Sequence, residues 1–291
     1  MSPEHSDYIV HFPVKHESLP LLAGIEGLIL VGSMQRAARL TEYLTRFRTG
    51  VWKGGKMHIY CHLPQGDTDR EYSFFIIEWD QPRFKIGIIS HGIGAAGVEI
   101  VLAECTALIA LASDKTTNPV KAVIRCGTRG SIDPKHPIGT IALSSEVCQE
   151  NLELDNADPV LLETLKQSSH DLNLSVAEGR CFSSQFFWMN QGRCPFPLLT
   201  QYEELDRDQQ DFLHLLRKKD ICWVEMEDYY VCRIAKRYGI AAAGLGVVVA
   251  SRFDPDSKGF VLSYDRETKK TKELLPGEIA LLSLYNFLHG Q

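Results

Sequence analysis

The sequence is short of several features that would assign it quickly. Its net charge is −6, and no run of roughly five like charges occurs anywhere in it. There is thus no electrostatic footprint for nucleic acid or for an anionic membrane, and an anionic ligand would need a local cluster of arginines against this acidic background. None of the eight cysteines pairs as C-x-x-C, and no His/Cys group has zinc spacing. Several cysteines lie inside apolar runs, where a free thiol packs as a small hydrophobe, so a reduced, cytoplasmic protein without a metal is expected. The opening "MSPEHSDYIV" lacks the basic start and apolar stretch of a signal peptide. No segment approaches about eighteen apolar residues, so no membrane span is expected. No repeat and no break in composition divides the 291 residues, which are read as a single domain, 1–291.

What is present is an alternation of short apolar runs and amphipathic segments. With 44% hydrophobic residues, the chain can bury a core without staples. Runs rich in β-branched and aromatic residues predict strands at 27–32, 56–63, 72–79, 84–90, 121–127, 139–147, 174–183, 221–226 and 240–251. Helical spacing predicts helices at 97–113, 158–169, 208–219, 227–239 and 277–288, with Asp158 as N-cap and Pro159 in the first turn of the second. Strands separated by helices imply parallel pairing, and the consecutive strands between 56 and 90 add an antiparallel part. The expected fold is α/β, a mixed central sheet flanked by helices. Residues 252–276 are polar with little periodicity and read as a loop or flap.

Four stretches carry chemistry. "HGIGAAG" (91–97) contains G-x-G-x-x-G after a strand and before a helix, the context of a dinucleotide site. Such a site also needs an acid at the end of the next strand, where this chain has Arg125. NAD is therefore rejected, and the glycines are read as a tight turn that brings a helix close to its strand. "VIRCGTRG" (123–130) sets Arg125, Gly127, Thr128 and Gly130 just past a predicted strand end, where an arginine, a hydroxyl and glycine-exposed amides suit a tetrahedral oxyanion. "LILVGSMQR" (28–36) repeats the theme, with Gly32 after a strand and Arg36 in the helix that opens beyond it. In "WVEMED" (223–228), Glu225 and Glu227 flank Met226. On an extended segment both carboxylates face the same way, suited to a sugar's hydroxyls. Each stretch alone has a plain structural explanation as a turn, a solvated arginine or an acidic helix start.

A fifth stretch, "SSQFFWMNQGRCPFP" (183–197), surrounds Gln191 and Arg193 with aromatics. Taken in order, the five resemble the uridine phosphorylases of the nucleoside phosphorylase family, over about residues 8 to 252. "VGSMQR" resembles that family's phosphate turn, "SHGIGAAG" its glycine turn, "IRCGTRGSIDP" its R-x-G-T-x-G segment, "VEMED" its E-M-E segment and "NQGR" its Q-x-R pair. The resemblance implies that Gly32, Arg36, Arg125 and Thr128 hold phosphate, joined by Arg70 from a neighbouring subunit. It implies that Glu227, Met226, Thr128 and a neighbour's His11 meet the ribose, with Glu225 in support, and that Phe187, Gln191 and Arg193 hold uracil.

The implied reaction is phosphorolysis of uridine to uracil and ribose 1-phosphate. Inorganic phosphate is a co-substrate, no cofactor or metal takes part, and the active unit is a homodimer with shared sites. Arg125, Gln191, Arg193 and Glu227 would carry the chemistry. An amide can pair with uracil N3 and O2, a guanidinium can donate to O4, and negative charge builds on the base as the glycosidic bond breaks. The chain departs from the family at Ser33 and Met34, where Asp-Pro is usual, at Ala96 and Gly97, where Pro-Ser is usual, and at Arg129, where small or hydroxyl residues are usual. The alternative is a silent or weakly active paralogue that binds pyrimidine nucleosides. A purine enzyme would need an acid near 250, where the chain has Ala250, Ser251 and Arg252.

Overall fold

The computed structural model describes residues 16–46, 57–62, 72–80, 83–115, 117–187, 190–191, 202–252 and 272–290. A short 3-10 helix, His16–Leu22, precedes ten strands: β1 (Gly27–Val31), β2 (Met57–His62), β3 (Phe74–Asp80), β4 (Arg83–Ser90), β5 (Ala122–Ser131), β6 (Ile141–Cys148), β7 (Leu154–Asn156), β8 (Val176–Ser183), β9 (Ile221–Glu225) and β10 (Ala241–Ser251). The six α-helices among the described residues are α1 (Met34–Arg46), α2 (Ala95–Ala112), α3 (Pro159–Asp171), α4 (Tyr202–Lys218), α5 (Asp228–Arg237) and α6 (Leu275–His289).

All ten strands join one mixed sheet. β1 lies parallel to β4 on one side and β5 on the other, and the β2–β3–β4 meander supplies the expected antiparallel part. β5 also pairs with both β9 and β10, while β10 pairs with β6, β6 with β8 and β8 with β9. Five strands therefore close on themselves into a ring, and the remaining strands except β7 extend from β5 as an open sheet. Closure leaves these five strands without free edges.

β1 shows why its run is continuously apolar. Leu28 and Leu30 face one core with α2 and α5, and Ile29 and Val31 face another with α1, α3 and α6. A third cluster packs Leu213 and Leu216 of α4 on Phe182, Ile221 and Val224. The Asp158 cap is as expected: its Oδ1 accepts from the Val160 and Leu161 amides at 3.0 and 2.9 Å. Six cysteines among the described residues are free thiols, five of them buried.

Three expectations need correction. β5 does not end at Gly127. It continues to Ser131, because β10 pairs with it along its whole length. Helix α1 extends far beyond the Arg36 turn. Its polar composition hid a buried stripe of Ala37, Leu40, Thr41 and Leu44. The third concerns membrane length. At 18 residues and mean hydropathy 1.9, α2 is long and apolar enough to cross a membrane by those measures, and half of it is buried inside the fold. Its apolar content is explained by the core it serves, through Val98, Val101, Leu102, Cys105, Leu108 and Ile109. Most of the 252–276 segment lies outside the described residues, and α6 already begins at Leu275.

Candidate functional site

Arg125 sits in the middle of β5, beside Leu30 of β1 and Gly244 of β10, rather than past a strand end. Side chains two apart share a face of a strand, so Arg125, Gly127 and Arg129 point the same way. A Cβ on Gly127 would stand 2.4 Å from the guanidinium carbon of Arg125. Glycine at 127 is what lets the arginine lie back along its own strand.

The carboxylates of "WVEMED" converge on that guanidinium by a different route from the expected one. β9 ends at Glu225, and Glu227 is the N-cap of α5, so the segment turns instead of remaining extended. Arg125 Nη1 lies 2.9 Å from Glu225 Oε2 and 3.2 Å from Asp228 Oδ1, and Nη2 contacts Glu227 Oε2. Burial alone would make Arg125 easier to deprotonate. Glu227, Glu225 and Asp228 outweigh it and raise the pKa, so the group stays charged. Glu225 serves as internal support: it accepts from the Glu227 amide at 2.6 Å, from the Asp228 amide and from the Ser183 hydroxyl. Burial, then the charge of Asp228, raises its pKa. Glu227 is left facing the cavity, and its Oε1 accepts from the Gly94 amide at 2.8 Å.

That amide belongs to the glycine turn, and each of its glycines has a structural reason. Gly92 and Gly94 adopt φ of +75° and +84°, and a Cβ on Gly97 would stand 1.9 Å from the His91 carbonyl oxygen. The tight-turn reading is correct, and the anion at the start of α2 is the Glu227 carboxylate.

On the opposite wall, Ser33 Oγ accepts from the Arg36 amide at 3.2 Å. Ser33 thus does the helix-capping work at this altered turn. Arg36 reaches to 3.8 Å from Glu273, and its Nε is buried without a hydrogen-bond partner among the described residues. Burial lowers its pKa, and Arg125 adds to the effect.

His91, the residue before the glycine turn, is fully buried, and neither ring nitrogen has a hydrogen-bond partner among the described residues. Burial first, then Arg125 and Arg36, push its pKa down to about 3. A histidine that is neutral when folded and ordinary when unfolded favours folding fully above pH 6.5. That advantage is lost as pH falls below 6.5, at about 1.4 kcal/mol per unit. Urea denaturation from pH 8 to 5 is therefore expected to show about 2 kcal/mol more acid loss in the wild type than in His91→Asn. Parallel pH profiles would contradict this.

A cavity of about 290 Å³ is lined by Gly32, Arg36, Arg125, Thr128, Met226 and Glu227 together with Phe187 and Gln191. Gln191 is only 2% exposed. Its Oε1 accepts from Arg252 Nη2 at 3.3 Å, and its Nε2 donates to the Phe186 carbonyl at 3.3 Å. An amide oxygen has two lone pairs and an amide nitrogen two hydrogens, so each end has capacity for one bond beyond those to the described residues. The structure thus brings together Gly32, Arg36, Arg125, Thr128, Phe187, Gln191, Met226 and Glu227. Arg193, Arg70 and His11 lie outside the described residues.

Sequence reasoning missed Asp228, Arg252, Ser144 and the glycines of β10. The available signal was "AAAGLGVVV": two glycines in an apolar strand mark a close approach. A Cβ on Gly244 would stand 2.2 Å from Asp228 Oδ2, and one on Gly246 2.6 Å from Arg129 Nε. Among the described residues, two groups have ligand-type atoms within 4.8 Å of one another: Asp133, His136 and Cys222, and the buried Cys181, Glu225 and Asp228. The carboxylates of the second already face arginines.

The single mixed sheet flanked by helices is the nucleoside phosphorylase fold, and the arginines, carboxylates and glycine turns gather at one cavity of it. The chain belongs to the phosphorylase superfamily, which residues 28–275 match. Among solved structures it is similar to uridine phosphorylase from Schistosoma mansoni in complex with thymine, with 20% identity and a TM-score of 0.72, over 100% of this chain and 99% of that one. The same enzyme in complex with thymidine gives 20% and 0.73, over 100% and 98%. Purine nucleoside phosphorylase from Toxoplasma gondii in complex with immucillin-H gives 21% and 0.62, over 95% and 97%. No curated protein sequence matches the chain. At these identities the solved structures establish the fold, and the choice of base rests on the residues of the cavity.

Proposed function

We propose that the protein is a uridine phosphorylase, converting uridine and inorganic phosphate to uracil and ribose 1-phosphate. The observation that carries this reading is Gln191: a buried amide lining the cavity, held at both ends, with capacity for one more acceptor and one more donor bond beyond those to the described residues. Uracil offers N3–H and O2 to such a pair. Phe187, 42% exposed at the cavity mouth, packs on the face of the ring. Arg193 would complete the edge at O4.

The reaction breaks the bond from the anomeric carbon to N1 and forms one to a phosphate oxygen. Glu227 holds the ribose 2′-hydroxyl beside Met226. Arg36, Arg125 and Thr128 hold phosphate in line with the anomeric carbon, and Arg70 of a neighbouring subunit adds to them. The electron pair leaving with the base is stabilised by donors from Gln191 and Arg193. His11 of the neighbour meets the ribose, which makes a homodimer the smallest active unit. A purine enzyme is disfavoured at β10, where Val249 lines the cavity and the strand Ala241–Ser251 carries no carboxylate to protonate a purine ring.

Ultraviolet-monitored cleavage of uridine, with and without phosphate and beside inosine, tests the reading. Phosphate-dependent loss of uridine with inosine untouched is the expected result. Cleavage of inosine, or cleavage of uridine without phosphate, would refute it. Binding of uracil without turnover would mark a silent paralogue.

A further inference from the structure

Arg129 has no exposed side-chain surface, yet it shares a strand and a face with Arg125. Its Nη2 lies 2.7 Å from Asp228 Oδ2, and its Nη1 donates to Ser144 Oγ. Ser144 in turn donates to the same Asp228 oxygen at 2.7 Å, and the guanidinium stands 5.6 Å from the centre of the Trp223 ring. The other oxygen of Asp228 faces Arg125 at 3.2 Å. One carboxylate is therefore shared between two arginines, and the backbone is cleared for it at Gly244 and Gly246. Arg125 alone would confront Glu225, Glu227 and Asp228, one positive charge against three negative. Arg129 supplies a second positive charge and takes up one oxygen of Asp228.

We propose that Arg129 is a positioning residue for Arg125: by holding the Oδ2 edge of Asp228, it fixes where that carboxylate meets Arg125 and leaves the Arg125 charge available to a phosphate dianion in the cavity. This rests on the phosphorylase reading. It also explains how a long cation is accommodated at a position where small or hydroxyl residues are usual. Arg129 borders the cavity, but its side chain has no exposed surface and is turned to the acid behind it.

The test is calorimetric titration of the full chain with inorganic phosphate and, separately, with uracil. Arg129→Met leaves Asp228 acting on Arg125 alone, and should weaken phosphate about tenfold or more while uracil stays within about twofold. Arg129→Lys keeps the charge but not the two contacts, and should fall between wild type and Arg129→Met. In Arg129→Met/Asp228→Asn the charge is balanced again and an amide oxygen still faces Arg125. Phosphate affinity should return to within about threefold of wild type. Unchanged phosphate binding in Arg129→Met, or equal losses for phosphate and uracil, would overturn the proposal, the latter because a general structural role would move both. If Arg129→Met does not fold, wild-type phosphate affinity in Arg129→Lys overturns it. Wild-type protein that binds no phosphate removes the phosphorylase reading and this proposal together, whereas wild-type binding that Arg129→Met matches removes this proposal alone.

Discussion

Arg125→Met is expected to destabilise the protein by about 3–5 kcal/mol and to abolish turnover. Arg125 is 4% exposed and its two terminal nitrogens meet three carboxylates. Removing it leaves Glu225, Glu227 and Asp228 buried together, with Arg129 still paired to Asp228. Breaking a buried charge cluster on one side costs far more than an exposed pair, because the orphaned charges cannot be rehydrated. The loss has a pH signature. Burial and the charge of Asp228 raise the pKa of Glu225 and Arg125 opposes them, so without Arg125 Glu225 is harder still to ionise in the fold than in the unfolded chain. A raised folded pKa on an acid disfavours folding at high pH, and the penalty is relieved as pH falls towards the unfolded value. The gap between variant and wild type in urea denaturation should therefore be smaller at pH 5 than at pH 8. A gap that widens on acidification would show that charge is not what Arg125 contributes. Arg125→Lys should lose less stability but still little activity would remain, since one ammonium cannot span three carboxylates as a planar fork does.

The strands were legible because local rules and tertiary demands agree in them. Runs such as "GLILV" are apolar on both faces, and the sheet buries both. The glycine turn was legible in its structural sense, since positive φ and close approach are properties glycine alone supplies. The clustering of Arg36, Arg125, Glu227 and Gln191 at one cavity was visible through resemblance. The charge network behind them was not. Arg125 and Asp228 are 103 residues apart, and Arg129 and Ser144 come from different strands of the ring. Nothing local in a single sequence says that a strand arginine will be fully buried, and the usual fate of arginine is exposure. The helix opening at Arg36 was legible but the length of α1 was not: four buried positions among polar residues are too few to mark how far a helix runs before the strands it packs on, β3 and β4, are known.

The second large effect concerns the base. Gln191→Glu is expected to lower kcat/KM for uridine by about 10²–10³ while leaving the fold intact. The substitution is nearly isosteric, and a carboxylate oxygen can still accept from Arg252 Nη2, so the 3.3 Å contact that orients the side chain survives. What is lost is the Nε2 donor. A carboxylate has no hydrogen to give to uracil O2 and places a negative charge where the departing base develops one. Ground-state binding of uridine retains its other contacts, whereas the transition state loses stabilisation as charge builds on the ring, so kcat should fall more than KM rises. Arg252 keeps the new carboxylate paired, but the bond from Nε2 to the Phe186 carbonyl is lost, so urea denaturation should show a loss of about 1–3 kcal/mol, the scale of a buried acceptor deprived of its donor. Steady-state kinetics beside the denaturation curve decides the matter. A variant with wild-type kcat would mean that Gln191 orients the loop and does not touch the base, and the choice of uracil would then have to come from Arg193 and the aromatic wall.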